Sequence, residues 1–170
     1  AYAMRYGSPA IAEKLDQLKA GGAQRILVLP LYPQFAASTT ASVMDDVADW
    51  IKCTRNPPEL RFVRNYHDDS AYIAALATSI REDWAGHGRP KTLVMSFHGL
   101  PERSLHLGDP YFCECQKTGR LLAEALQLSA DDYRITFQSR FGRAKWLQPY
   151  TQATIEQLAR DCVGQENSRT

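Results

Sequence analysis

Short apolar runs alternate with stretches of helical period from Pro9 to Asp161, and that alternation constrains the fold more than any other feature of the chain. The runs are Arg25 to Leu31 (RILVLPL), Leu60 to Asn65 (LRFVRN), Thr92 to Phe97 (TLVMSF) and Tyr133 to Phe137 (YRITF). Each is bounded by Gly, Pro or polar residues, the signature of a buried strand. Between and around them, Pro9 to Ala20, Ala41 to Lys52, Ala71 to Ala85, Phe112 to Gln127 and Pro149 to Asp161 carry a helical period. Ser8-Pro9 offers an N-cap and a proline at the first helical position, Gly21-Gly22 a stop, and Asp109-Pro110 a start for the fourth helix. The order α-β-α-β-α-β-α-β-α forces right-handed crossovers and parallel strands covered by helices on both faces. A doubly wound, flavodoxin-like three-layer αβα fold is expected, without internal repeats.

With 170 residues, 44% of them hydrophobic, the chain can bury a sizeable core. One domain over 1–163 is expected, followed by a polar tail over 164–170. The formal charge of +1 gives no general pull toward nucleic acid or an anionic membrane. Cys53, Cys113, Cys115 and Cys162 lack the density of a secreted disulfide framework, so a reducing cytoplasm and free thiols are expected. No apolar stretch reaches the roughly 20 residues that span a bilayer, and no signal-peptide layout opens the chain, so a soluble protein is expected.

In parallel α/β sheets, ligands gather beyond the carboxyl ends of the strands. His98 directly follows the third apolar run and precedes Gly99 and Pro101, which sets an imidazole at that edge, able to bind a borderline metal or take a proton near neutrality. A strand-end histidine bonded to a neighbouring carbonyl would have the same position. His67-Asp68-Asp69 carries ligand types for a metal, or else caps for the next helix. Cys113 and Cys115 lack the second pair that a strong zinc or iron–sulfur assignment needs. Ser38-Thr39-Thr40 either binds an anion or caps a helix. No glycine-rich loop matches a nucleotide fingerprint. Arg140, Arg143 and Lys145 around Phe141 and Trp146 suit a flat apolar ligand bearing carboxylates, or form a solvated basic loop with Trp146 pinned to the core.

Several spaced motifs together are more specific than any of these alone. Met4-Arg5-Tyr6-Gly7-Ser8-Pro9, Leu29 to Phe35 with Ser38-Thr39-Thr40, Ser96-Phe97-His98-Gly99-Leu100-Pro101, Gly108-Asp109-Pro110-Tyr111, and Phe137 to Gly142 with Trp146-Leu147 resemble the signatures of bacterial ferrochelatases, in family order, from Ala1 to about Val163. The resemblance implies an enzyme of haem biosynthesis with two similar α/β halves and a porphyrin cleft between them, inserting ferrous iron into protoporphyrin IX or coproporphyrin III. It matches His98 to the family histidine that binds iron, takes protons from the pyrrole nitrogens, or does both. It matches Arg5, Tyr6, Gln138 and Trp146 to residues near the macrocycle, and Tyr66 is placed with them as substrate-binding. Ferrous iron is then a substrate and no cofactor is required; Ala37 stands where animal members carry a cluster cysteine, so no iron–sulfur cluster is expected.

Relative to the family pattern, the chain begins after the N-terminal third and ends before a glutamate-bearing helix that partners the histidine. The isolated segment is therefore expected to be inactive. Two other functions are compatible with the residues: a non-catalytic module that binds porphyrin or a partner, and a flavodoxin-like domain for a flavin or sugar phosphate. Bare apolar faces, such as those of Ala41 to Lys52 or Pro149 to Asp161, would favour a homodimer, whereas a sufficiently polar lobe would stay monomeric.

Overall fold

The computed structural model describes the backbone of residues 1–167 and the side chains of residues 1–161; the end of the expected polar tail, 168–170, lies outside the described residues. Two compact units are present, Ala1–Tyr66 and His67–Thr170.

The first unit contains α1 (Ile11–Ala20), β1 (Arg25–Val28), a π-helical turn (Ala37–Ala41), α2 (Ser42–Cys53) and β2 (Glu59–Phe62). β1 and β2 pair in parallel, from Arg25 opposite Glu59 to Val28 opposite Phe62. Leu15 of α1, Ile26 of β1, and Val47 and Trp50 of α2 form its core. The indole N–H of Trp50 is not left bare, since it donates to Asp16 Oδ1 at 2.8 Å. Gly21 ends α1 as expected, its N–H donating to the Gln17 carbonyl, and Gly22 takes the positive φ of 84° that the turn requires.

Two starts differ from expectation. Ser8-Pro9 does not open α1: the Met4 N–H donates to the Pro9 carbonyl at 2.8 Å, which holds that segment extended until Ala10. Ser38, Thr39 and Thr40 do not cap α2 but form the π turn ahead of it, where Thr39 Oγ1 donates back to the Ala36 carbonyl. Residues that bond their own backbone in this way compete with regular capping.

The second unit contains α3 (Ser70–His87), β3 (Leu93–His98), α4 (Glu102–His106), α5 (Tyr111–Ala125), β4 (Tyr133–Gln138) and α6 (Thr151–Asn167). β3 and β4 run parallel over six pairs, from Leu93 opposite Tyr133 to His98 opposite Gln138. Helix α6 packs on both strands, α5 on β4, and α3 on α5. One core cluster joins Ala77, Met95, Leu122, Ala123 and Leu126; another joins Cys115, Phe137 and Leu147. Gly119 of α5 faces β4 so closely that a Cβ would lie 2.4 Å from Ile135 Cδ1, which explains a glycine inside a helix at this crossing. The short α4 was not visible in the sequence, and α6 runs past Asp161, where the helical period was expected to end. All four expected strands form, parallel and with helices packed on them, as the α/β class requires; they pair two by two.

Candidate active site

At the carboxyl end of β3 the chain must turn while His98 stays exposed, and the turn is built from close backbone approach. The Gly99 N–H donates to the Gln138 carbonyl at 2.8 Å. A Cβ on Gly99 would lie 2.6 Å from that carbonyl oxygen and 3.2 Å from Cε3 of Trp146, so only glycine lets β4 and the indole come this near. Pro101 then bridges antiparallel to Trp146, and the Leu147 N–H donates to the Leu100 carbonyl at 2.9 Å. His98, Gln138 and Trp146, singled out separately in the sequence, are thereby gathered at one sheet edge. His98 and Gln138 are exposed and directly opposite each other; Trp146 is half-buried, with its indole N–H shielded from solvent and without a hydrogen-bond partner.

One contact at this edge had no signal in the sequence. Tyr111, the first residue of α5, donates its hydroxyl to the main-chain carbonyl of His98 at 2.9 Å. Burial raises the Tyr111 phenol above its ordinary range and pushes the Cys115 thiol beneath it up to about 12. The basic loop after β4 resolves toward solvent: Arg140, Phe141, Arg143 and Lys145 are exposed, Arg140 lies over the Tyr150 ring at 5.3 Å, and Lys145 pairs with Glu102 at 2.9 Å.

Arg5, Tyr6 and Tyr66 belong to the first unit. The Arg5 guanidinium binds Asp46 at 3.0 Å and stands 4.6 Å from the centre of the Tyr6 ring, while its Nε is buried without a hydrogen-bond partner. Tyr6 itself is 79% exposed, its ring available to a further flat partner. Arg5 also lines a mostly apolar cleft of about 490 Å³ beside β1, with Tyr2, Met4, Leu27, Leu29 and Leu31. Tyr66, after β2, is half-buried; its N–H donates to the Pro33 carbonyl at 2.9 Å, and burial raises its hydroxyl above the usual range.

The acidic segment before α3 caps, as one of its two expected roles has it. Asp69 Oδ1 accepts from the N–H groups of Ala71 and Tyr72, both at 3.0 Å. Asp68 pairs with Lys117, and His67 is buried with Nδ1 3.4 Å from Glu114 Oε2. Cys113 is exposed and Cys115 buried, so the two thiols meet different surroundings. Among the described residues no group of three or more His, Cys, Asp or Glu is placed to hold a metal ion.

Parallel strands under helices, with an exposed histidine, a glutamine and an indole at one carboxyl edge, define an α/β protein with an imidazole at its strand ends, the edge where ligands of such sheets gather. The chain belongs to the ferrochelatase family: the family model described as Ferrochelatase matches residues 1–165. Among similar curated proteins, a ferrochelatase of Azoarcus sp. (strain BH72) is 63% identical over 163 residues, covering 96% of this chain and 45% of its own length. Ferrochelatases of Polaromonas sp. (strain JS666 / ATCC BAA-500) and Nitrosomonas europaea are 61% and 57% identical over 93% and 96% of this chain. The chain thus spans somewhat less than half the length of these relatives.

Proposed function

We propose that this chain is part of a ferrochelatase that inserts ferrous iron into a porphyrin, protoporphyrin IX or coproporphyrin III, in the cytoplasm, with His98 as its catalytic residue. The observation that carries the reading is the placement of His98, exposed at the end of β3 with Gln138 and the Trp146 indole beside it, in a chain of this family.

Metal insertion removes two pyrrole N–H protons while iron sheds water and enters the ring. A neutral imidazole at the sheet edge can accept such a proton or hold the incoming ion. In the second unit the planar indole offers an apolar face to a flat macrocycle; taken by itself, the first unit offers, in Arg5, Tyr6 and Tyr66, the charge and aromatic surface that suit carboxylates and rings. Iron is a substrate here, and no resident cofactor is part of the reading. The relatives spend more than half their length outside the matched stretch, which favours a segment that binds porphyrin without turning it over.

Titrating the purified chain with protoporphyrin tests the binding half of this reading. A Soret band that shifts and saturates is expected, with Trp146→Ala weakening binding by on the order of tenfold, the scale of one lost aromatic contact. An unshifted Soret band, or a flavin spectrum in the protein as purified, contradicts it. A homodimer is also proposed, through the apolar side chains that line the cleft beside β1.

A further inference from the structure

The motif Gly108-Asp109-Pro110-Tyr111 has no task in the reaction outlined above, yet each of its residues is spent on placing one hydroxyl. Gly108 takes a φ of 90°, a conformation that L side chains rarely adopt, and so turns the chain out of α4. Asp109 Oδ1 accepts the Tyr111 N–H at 3.0 Å, fixing the first turn of α5. Pro110 carries no N–H, and as the residue flanking the helix it leaves no donor unsatisfied there. The Tyr111 ring then packs against the cluster of Cys115, Phe137 and Leu147. Its hydroxyl emerges at the carboxyl end of β3, 2.9 Å from the His98 carbonyl.

A phenol has one proton, and Tyr111 gives it to His98. Cys115, one turn further along α5, is fully buried in the cluster against which the Tyr111 ring packs. The phenol thus ties the packed start of α5 to the peptide that carries the exposed imidazole. Since His98 is the last residue of its strand and its side chain is exposed, its main chain is where the fold can hold it.

We infer that Tyr111 is a positioning residue for His98, holding the peptide of the exposed histidine through its carbonyl. The purpose of this hold, presenting the imidazole to a porphyrin and its metal, rests on the ferrochelatase reading; the hold itself does not.

The test is NMR of the 170-residue chain labelled with ¹³C and ¹⁵N, His98 being assigned by the signals that His98→Ala removes. In Tyr111→Phe the His98 carbonyl carbon is expected to move upfield and the His98 imidazole signal to broaden or average, while the ring signals of His67, His87 and His106 stay in place. A His98 carbonyl that does not move, or an imidazole that keeps its wild-type signal after the carbonyl has moved, overturns the proposal. If Tyr111→Phe does not fold, 3-fluorotyrosine at position 111 takes its place: its more acidic phenol is the stronger donor, so the same carbonyl is expected to move downfield, and no shift overturns the proposal. Failure of porphyrin binding by the wild-type chain would sink the ferrochelatase reading alone, leaving these spectra to decide on Tyr111.

Discussion

Gly99 is the residue on which the arrangement at the sheet edge turns. Alanine there puts a Cβ 2.6 Å from a main-chain oxygen, and backbone cannot swing aside as a side-chain tip can. Gly99→Ala is expected to cost about 1–3 kcal/mol, the usual scale of overpacking, by prising β4 and Trp146 from the end of β3. Urea unfolding of the variant measures this, and a midpoint equal to the parent's would show that the close approach is not held. The importance of Gly99 was half legible: the Gly between His98 and Pro101 marks a turn, but its contact with Gln138 joins residues 39 positions apart, and only strand pairing makes them neighbours. Tyr111 was less legible still. Its phenol reaches a main-chain atom, which leaves no mark in the pattern of side-chain chemistries, and the turn that brings it there follows a helix of five residues, too short to build a period.

Elements were the most legible level. Each of the four strands is a compact apolar run between breakers, and burial on the core side was enough to fix its place. Helix ends were legible where a single residue governs them, as Gly21 and Asp69 do, and illegible where tertiary contacts do, as when Met4 holds Pro9 extended ahead of α1. Two carboxylates at element ends also make a pH prediction. The hydrogen bond from Lys117 holds Asp68 below the ordinary carboxylate range, and hydrogen bonds from the Ser129 N–H and hydroxyl do the same for Asp132. Their folded pKa values lie below the unfolded ones, so the stability they add is present above the ordinary carboxylate pKa of about 4 and is lost as pH falls through the folded values. Both carboxylates remain in contact with solvent, so the loss is small. Urea midpoints measured from pH 6 to pH 2.5 should fall more steeply for the parent than for Asp132→Asn; parallel curves would remove Asp132 from the account.

At the scale of the whole molecule, alternation of elements established the α/β class but not which strands are neighbours, because periodicity carries no information about pairing between distant segments. On the two helix faces expected to be bare, Val43, Val47 and Trp50 of α2 are buried while Ile51 of α2 and Ile155 of α6 are exposed; Leu27, Leu29 and Leu31, of β1 and the loop after it, form a further bare patch, 63%, 49% and 80% exposed. Self-association through that strand is therefore expected. Light scattering over a range of concentrations should give a mass above 19.1 kDa that Leu27→Lys returns to the monomer value; a mass of 19.1 kDa throughout would contradict it.

The central claim is that His98 handles the metal or the pyrrole protons, and it is tested most directly where turnover can be measured. Residues 1–163, grafted in place of the matching stretch of the Azoarcus ferrochelatase, should support insertion of ferrous iron into protoporphyrin under anaerobic conditions. His98→Ala in that protein is expected to slow insertion by on the order of 10²–10⁴-fold, the usual contribution of a positioned acid–base group, with the folded state retained. Iron insertion at the parental rate by the His98→Ala protein would contradict the account.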